Sequence, residues 1–497
     1  MRTESIWSLY RKMKVIMPKR KIKRVVLTYP NQRWYKYDLT TTWNLSPYSL
    51  CILAAMIQDR YEVKIIDAQF YNMSKGQFKK EIQEFRPDCV GISILTSEYE
   101  TIVGTAADII KKVDKNIVTI AGGVHVTTQY KKVMDNKNID YAVRGEGEYV
   151  LGELLDYLSG EGKFPSKGVV FRGEGGQLTA LPPDIIQDLD VLPPPNYDLV
   201  DYRAYANTGP RYGVDSVHDY PYARILTSRG CPVGCSFCQV ESISGKKWRP
   251  RSVENVVNEI ELLKKKYGIQ SFIFEDDNPF YQKTRTKNLF RLLKERDLNL
   301  KWKAAGVAIF MMDEEIFKLM AETGCQMIGV AVESGTQRIL KEIIKKPVNL
   351  KKVPQTIKLA QKYGIFVAAN FVIGFPGETW EEIRQTLHFA ETCGADYCKI
   401  YPANPLVGTK MFAKAKELGC IIGDETKVDW RYGRIKTSNF SPKDIAILRV
   451  YEWDRINFSN PEKISKTAAI MGMTVERLNE IRKNTRENLT FEDIGNF

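Results

Sequence analysis

The chain has 497 residues, enough for two or three domains, and its 43% hydrophobic content is ordinary for a folded protein. Nine cysteines are too few and too scattered for a disulfide scaffold, which points to a reducing, cytoplasmic setting, and no apolar run reaches the roughly 18–20 residues of a membrane span. Lys and Arg outnumber Asp and Glu by 73 to 60, a net charge of +13, but the excess is diffuse and carries no helix-turn-helix, zinc-finger or RNA-recognition signature, so nucleic acid is not the expected partner.

Residues 1–22 form a basic arm without the apolar core of a signal peptide. It reads as a solvated lead-in to the first strand, or as a segment able to touch an anionic membrane surface. Residues 23–165 then alternate strands and helices: "KRVVLTYP", "YEVKIIDAQ", "DCVGISIL", "NIVTIAGG" and the start of "IDYAVRGEGEYVLGELLDYL" as strands, with amphipathic stretches between them. Such alternation implies a doubly wound parallel sheet, which binds ligands beyond the carboxyl ends of its strands. Small or hydroxyl residues stand there: Ser93, Thr96, Gly122 and Gly123. Residues 166–220, with a triple proline at 193–195, read as an extended linker.

A second alternation fills residues 221–424. Strands are expected at "ARILTSRG", "SFIFEDDN", "WKAAGVA", "MIGVAVES", "VAANFVIGFPG" and "DYCKIYPA", with helices near 285–297, 313–323, 350–363 and 378–392. Six such units suggest a parallel barrel or part of one, with chemistry at the carboxyl ends of the strands. Residues 425–497 read as a small helical cap that shapes a substrate cavity.

After the first of these strands comes "RGCPVGCSFCQV", with Cys231, Cys235 and Cys238 in C-x3-C-x2-C spacing. A structural zinc site closes with four Cys or His ligands. No fourth candidate is near: His218 lies thirteen residues earlier and the next cysteine is Cys325. Three thiolates suit a [4Fe-4S] cluster with one iron open to a ligand. A zinc site completed from elsewhere is the alternative.

The triplet resembles the signature of radical S-adenosylmethionine (SAM) enzymes. The resemblance implies that the open iron chelates SAM and that its reductive cleavage releases a 5'-deoxyadenosyl radical. It also implies roles around the barrel mouth. Phe237 would pack beside the adenine, Glu333 and Ser334 in "ESGT" would contact the ribose or methionyl part, and Gly374 in "VIGFPGE" would flank the adenine. Asp276 in "EDDN" would lie near the methionyl amine, and Arg249 would pair with the carboxylate or simply precede the helix as surface charge.

The first domain is similar to flavodoxin-like cobalamin-binding domains. There "GISILT" (Ser93, Thr96) and "AGGVHVTT" (Gly122, Gly123, His125) match segments that line the cleft for the nucleotide tail, and "RGEGE" (Glu146) matches a further loop. The D-x-H-x-x-G motif that supplies a cobalt-ligating histidine is absent; the loop reads "TYPNQRWYKYD". His125, the domain's only histidine, is expected to make a polar contact or none.

Together these features identify the chain as a member of the cobalamin-binding radical SAM enzymes, similar to the hopanoid and phosphonate methylases and the anaerobic magnesium-protoporphyrin ester cyclase. The resemblance implies a [4Fe-4S] cluster, SAM and cobalamin as cofactors, and an electron donor such as flavodoxin or ferredoxin. The implied activity is methylation of an unactivated carbon, or of phosphorus, in a small-molecule or lipid substrate. A non-methylating cyclase, oxidase or rearrangement enzyme with the same cofactors is the alternative.

Overall fold

A computed structural model of the chain describes residues 21–35, 45–94, 101–208, 213–216, 218–425, 428 and 432–487. The arm up to Arg20, Thr96, part of the loop after the first strand and the charged tail beyond Glu487 lie outside the described residues. The chain forms two compact units: one runs to Gln187 and takes in Val191–Tyr202, and the other comprises Asp188–Asp190 and the chain from Arg203 onward.

The first unit is built on a sheet of β1 (Arg24–Tyr29), β2 (Glu62–Asp67), β3 (Cys89–Ile94), β4 (Val118–Gly123), β5 (Tyr141–Val143), β6 (Val169–Arg172) and β7 (Leu178–Ala180), in the order β2-β1-β3-β4-β5-β6-β7. β1 to β5 are parallel. The order 2-1-3-4-5 is that of the flavodoxin-like doubly wound fold. The strands read as almost unbroken apolar runs because helices cover both faces. Local signals set the helix ends. In helix Lys75–Phe85, Ser74 and Gln77 form a capping box and Arg86 ends the helix at a positive φ of 52°.

The stretch after residue 165 departs from the expected linker. β6 and β7 extend the first sheet as antiparallel strands, and the proline-rich stretch packs on the same unit through the Asn196 amide, which donates to the Cys51 carbonyl at 3.1 Å. The prolines exclude helix and central strand, yet do not forbid an extended segment from packing.

The second unit holds a six-stranded sheet in the order β15-β14-β13-β12-β11-β8. Its members are β8 (Tyr222–Ile225), β11 (Ser271–Phe274), β12 (Lys301–Val307), β13 (Cys325–Glu333), β14 (Phe366–Ile373) and β15 (Tyr397–Pro402), all parallel. β8 and β15 are its two edges, so the barrel is partial. A short antiparallel ladder of β9 (Ser228–Arg229) and β10 (Arg249–Pro250) sits at the mouth. Helices Val253–Tyr267, Lys283–Glu295, Glu314–Glu322, Val353–Lys362 and Trp380–Thr392 connect the strands, close to the expected positions. The segment Ile339–Ile344 adds a π-helical turn that no periodicity foretold.

Helices Pro442–Asn457, Pro461–Ile470 and Val475–Glu487 form the helical C-terminal cap and fall within this same compact unit. They bury Ala468, Met471 and Leu478, with Phe458 at the end of the first, against Met327, Ala368 and Tyr397 of the sheet's inner face. The Lys303 ammonium ties this floor together by donating to the carbonyls of Val214, Ser216 and Ile470 at 3.2, 2.5 and 2.9 Å.

Candidate active site

The loop after β8 carries the cysteine triplet. Gly230 opens it at a φ of +80°, and a Cβ there would meet the Lys247 carbonyl at 2.4 Å, so only glycine closes this turn. The loop is pinned on both sides of Ser236: its amide donates to the Ile344 carbonyl and its own carbonyl accepts from the Met411 amide, each at 2.8 Å. Cys231, Cys235 and Cys238 are partly exposed, whereas the six other cysteines are buried. Burial pushes the Cys235 thiol up to about 11, against the pull of the Lys346 ammonium, and the Cys238 thiol up to about 12. Metal loading therefore has to release protons here. Among the described residues no three His, Cys, Asp or Glu side chains converge on a single-ion position. A cubane offers each thiolate its own iron, and three partly exposed thiols on one braced loop fit one.

Three further strand ends surround the loop. At the end of β13, Glu333 is held at a φ of +76°, unusual for a non-glycine residue, where the register of β13 against β14 slips. Strain of this kind persists where the surroundings over-determine it. Its carboxylate accepts from the Lys346 ammonium at 2.7 Å, with both side chains buried. Burial works to lower the Lys346 pKa, but Glu333, Cys235 and Cys238 outweigh it and hold the ammonium charged. This pair thus flanks the thiols.

Ser334 is fully buried; its hydroxyl bonds Thr336 and Thr386, each at 3.1 Å, and accepts from the Thr336 amide at 3.2 Å. Those bonds fill the capacity of its hydroxyl, which supports the loop.

At the end of β14, Gly374 adopts a φ of +88°. The Gly374 and Phe375 amides both donate to the Glu378 carboxylate, at 2.7 and 2.9 Å. Phe375 packs against Phe237 with ring centroids 5.7 Å apart, which brings this turn onto the cysteine loop. At the end of β11, Asp276 is buried, and one of its oxygens accepts from the Thr227 amide and from the Thr227 and Ser228 hydroxyls at 2.8, 3.0 and 2.6 Å. Arg249, 2% exposed, donates to the Ser244 carbonyl at 2.9 Å and braces the far limb of the loop. Both residues brace the loop through these bonds, and the second Asp276 oxygen, Oδ2, is buried with no hydrogen-bond partner among the described residues.

In the first unit, register pairs Ser93 with Gly122 and Ile94 with Gly123 at the carboxyl edge of β3 and β4. Among the described residues nothing lies within 4 Å of a Cβ built on Gly122. Among these residues the edge is an open cradle beside the β1/β3 switch point, where sheets of this order bind ligands. Gly123 differs: at φ +99° its Cβ would meet the Ile94 carbonyl at 2.5 Å, so the fold itself demands glycine. His125 is 1% exposed, and burial, then Lys132, pushes its pKa down to about 4. Glu146 is committed to the backbone, accepting from the Ile186 amide at 2.7 Å.

Three residues of the site carried no assignment from sequence. Asn278, 2% exposed, donates its amide to the Cys231 sulfur at 3.7 Å; it is the last letter of the "EDDN" motif, and that polar strand end was its signal. Glu378 stands in the quoted turn, four residues after Gly374. Lys346 had no local signal, because its partners Glu333 and Cys235 come from other segments.

Comparison with known proteins agrees with this geometry. Residues 225–390 match the radical SAM superfamily and residues 40–155 match the B12 binding domain. An uncharacterised methyltransferase of Pyrococcus horikoshii is 34% identical over 80% of this chain and 83% of its own length. The cytidylyl-2-hydroxyethylphosphonate methyltransferase of Streptomyces wedmorensis is 31% identical over 82% and 84%. The anaerobic magnesium-protoporphyrin IX monomethyl ester cyclase of Rubrivivax gelatinosus is 27% identical over 75% and 66%.

Two solved structures share the fold at lower identity. OxsB, with aqua-cobalamin and SAM bound, superposes with a TM-score of 0.71 at 16% identity, covering 93% of this chain and 72% of that one. The methyltransferase TsrM of Kitasatospora setae, with cobalamin and a [4Fe-4S] cluster bound, gives 0.63 at 22% identity, covering 81% and 76%. A B12 binding domain joined to a radical SAM domain, in a chain that aligns along most of its length with two methyltransferases, is the architecture of one enzyme family: this chain belongs to the cobalamin-dependent radical SAM enzymes, whose cofactors are a [4Fe-4S] cluster, SAM and cobalamin.

Proposed function

We propose that this enzyme methylates an unactivated carbon, or phosphorus, of a small-molecule or lipid substrate. The observation that carries the reading is the braced loop of Cys231, Cys235 and Cys238 at the carboxyl edge of a six-stranded parallel sheet, with the Glu333–Lys346 pair beside it. The two methyltransferases that share about a third of their residues with the chain support the choice of reaction.

When bound, the cluster and SAM supply a 5'-deoxyadenosyl radical and cobalamin supplies a methyl group. The chain's part is to hold and to exclude water. The three cysteines hold the cluster, and Asn278 donates to the sulfur of one of them. Lys346 offsets negative charge beside Cys235 and Cys238 and orients Glu333 toward SAM. Phe237 and the turn at Gly374 wall the adenine, the turn being kept rigid by Glu378. In the first unit, the open edge at Ser93 and Gly122 receives the nucleotide tail of cobalamin, shaped by Gly123. The buried His125 imidazole takes no part in cobalt ligation. An acidic electron carrier such as flavodoxin or ferredoxin delivers the reducing electron. Among the described residues no helix is long and apolar enough to cross a membrane.

The 27% identity to a cyclase favours a second reading, the same cofactors used without methyl transfer. Anaerobic turnover with candidate substrates separates the two by mass. One added methyl group, carried from isotopically labelled SAM, supports methylation; a product that has lost hydrogen and gained no methyl group refutes it.

A further inference from the structure

Alternate residues of a strand share a face, and register partners on neighbouring strands share it too. On the inner face of the barrel, Lys303, Met327 and Tyr397 meet the C-terminal helices. Nearer the carboxyl ends, Ala331, Asn370 and Lys399 are register partners across β13, β14 and β15. Small residues keep this rung open. Ala305 and Ala331 are only partly buried in mid-barrel, and a Cβ on Gly329 would have Ala305 at 3.5 Å and the Asp215 carboxylate at 3.7 Å as neighbours. Tyr401, the next inward residue of β15, is 40% exposed. Tyr401 lies within electrostatic reach of Lys399, Asp215 and Glu333.

Two acceptors face this space. Asp215 forms an ion pair with Lys399 through one oxygen. Its other oxygen, Oδ1, is buried and has no hydrogen-bond partner among the described residues, and the same holds for Oδ1 of Asn370. A buried acceptor without a donor is costly and is normally matched. The Lys399 ammonium is already engaged, and the carboxylate beside it repels anions.

We propose that Asp215 and Asn370 form a substrate subsite that receives an N–H- or O–H-bearing group, so that the substrate carries a hydroxyl, amine or amide rather than being a hydrocarbon or a simple anion. The proposal rests on the barrel being the reaction chamber of the methylation proposed above. It narrows the substrate class without naming the molecule. Sites built to bond such a group reject analogues that lack it, because their own buried acceptors are then left unmatched.

The test uses the full-length enzyme, reconstituted anaerobically with iron, sulfide and SAM, and ligand-observed nuclear magnetic resonance. The probes are 3-aminopropanol and propionamide, with methyl propyl ether and propionate as comparators of similar size. The donor-bearing probes should give saturation transfer at least about fivefold above the comparators, and Asn370→Leu should abolish that preference. Asp215→Leu combined with Lys399→Met removes the ion pair as a unit without leaving a buried charge; it should do the same for 3-aminopropanol. Iron content and melting temperature report that each variant is folded. Equal binding of the ether or of propionate, or an undiminished donor preference in folded Asn370→Leu, overturns the subsite. Release of 5'-deoxyadenosine by the unmodified enzyme is measured separately. If that release is absent while donor-selective binding persists, the subsite stands and the radical reading falls.

Discussion

Gly122 and Gly123 are adjacent, yet their environments predict opposite outcomes for substitution. Gly122→Leu places a side chain into space with nothing among the described residues within 4 Å of its Cβ. Its backbone is not among the positive-φ glycines, so folding stability should change by less than about 1 kcal/mol. A ligand seated in the cradle would meet the new side chain, and overpacking of that kind costs about 1–3 kcal/mol, equivalent to about 5- to 150-fold weaker binding. Gly123→Ala should do the reverse. At φ 99°, ψ −173° the backbone lies in a region that is essentially glycine-only, which costs an alanine about 1–3 kcal/mol. The 2.5 Å approach to the Ile94 carbonyl adds to that. For a unit of this size the expected fall in Tm is about 2–12 °C. Absorbance titration with cobalamin under anaerobic conditions and thermal unfolding read the two quantities separately. A Gly122→Leu protein that binds cobalamin with unchanged affinity, or that loses as much Tm as Gly123→Ala, refutes the placement of the tail at this edge.

The His125 pKa of about 4 lies below the ordinary value of 6.5, so the unfolded chain binds more protons between those values. Stability should be complete above about pH 7 and fall by about 3 kcal/mol toward pH 4, and His125→Gln should flatten that slope in acid-unfolding curves. The same variant should leave the cobalt(II) electron paramagnetic resonance spectrum unchanged; nitrogen splitting that disappears with it would show ligation by His125. Replacing Cys231, Cys235 and Cys238 by alanine should remove all iron and sulfide, whereas alanine at Cys51, Cys89, Cys325, Cys393, Cys398 and Cys420 should leave the iron content intact, as metal analysis will show. Burial raises the Glu378 pKa to about 7, against the opposing amides of Phe375 and Gly374. The folded protein then binds the extra proton between about pH 4.5 and 7 and loses that contribution, up to about 3 kcal/mol, as pH rises through 7. Glu378→Gln should therefore have the higher Tm at pH 8, whereas Glu378→Ala, which leaves two amides unmatched, should lose about 1–3 kcal/mol. Asn278→Leu should retain the cluster but move its reduction potential negative, because the amide donated to sulfur favours the reduced state; an unchanged potential in redox titration would count against that contact.

What the sequence by itself determined is what depends on local order. The C-x3-C-x2-C spacing brings three thiols onto one loop whatever surrounds it. The alternation of apolar runs with amphipathic stretches sets a parallel sheet in each half, because its period is a property of the backbone. Glycine-bearing strand ends marked Gly122, Gly123 and Gly374 for the same reason. The roles of single polar residues at the mouth depended on something else. "ESGT" and "EDDN" name residue types suited to a ligand, but the sequence holds no information on which way a side chain turns once neighbouring strands are packed. Only the tertiary structure committed Ser334 to Thr386, Asp276 to Thr227 and Ser228, and Arg249 to the loop it follows. It likewise set Lys346 against Glu333, Asp215 against Lys399 and Asn278 against Cys231. Each of these is a pair of segments that are distant along the chain or lie on different strands, and their energies exist only after burial has removed the water that would otherwise satisfy each group alone. β6 and β7 belong to the same class: runs of three and four residues carry too little periodicity to be read, and they become strands because the edge of β5 is there to pair with them.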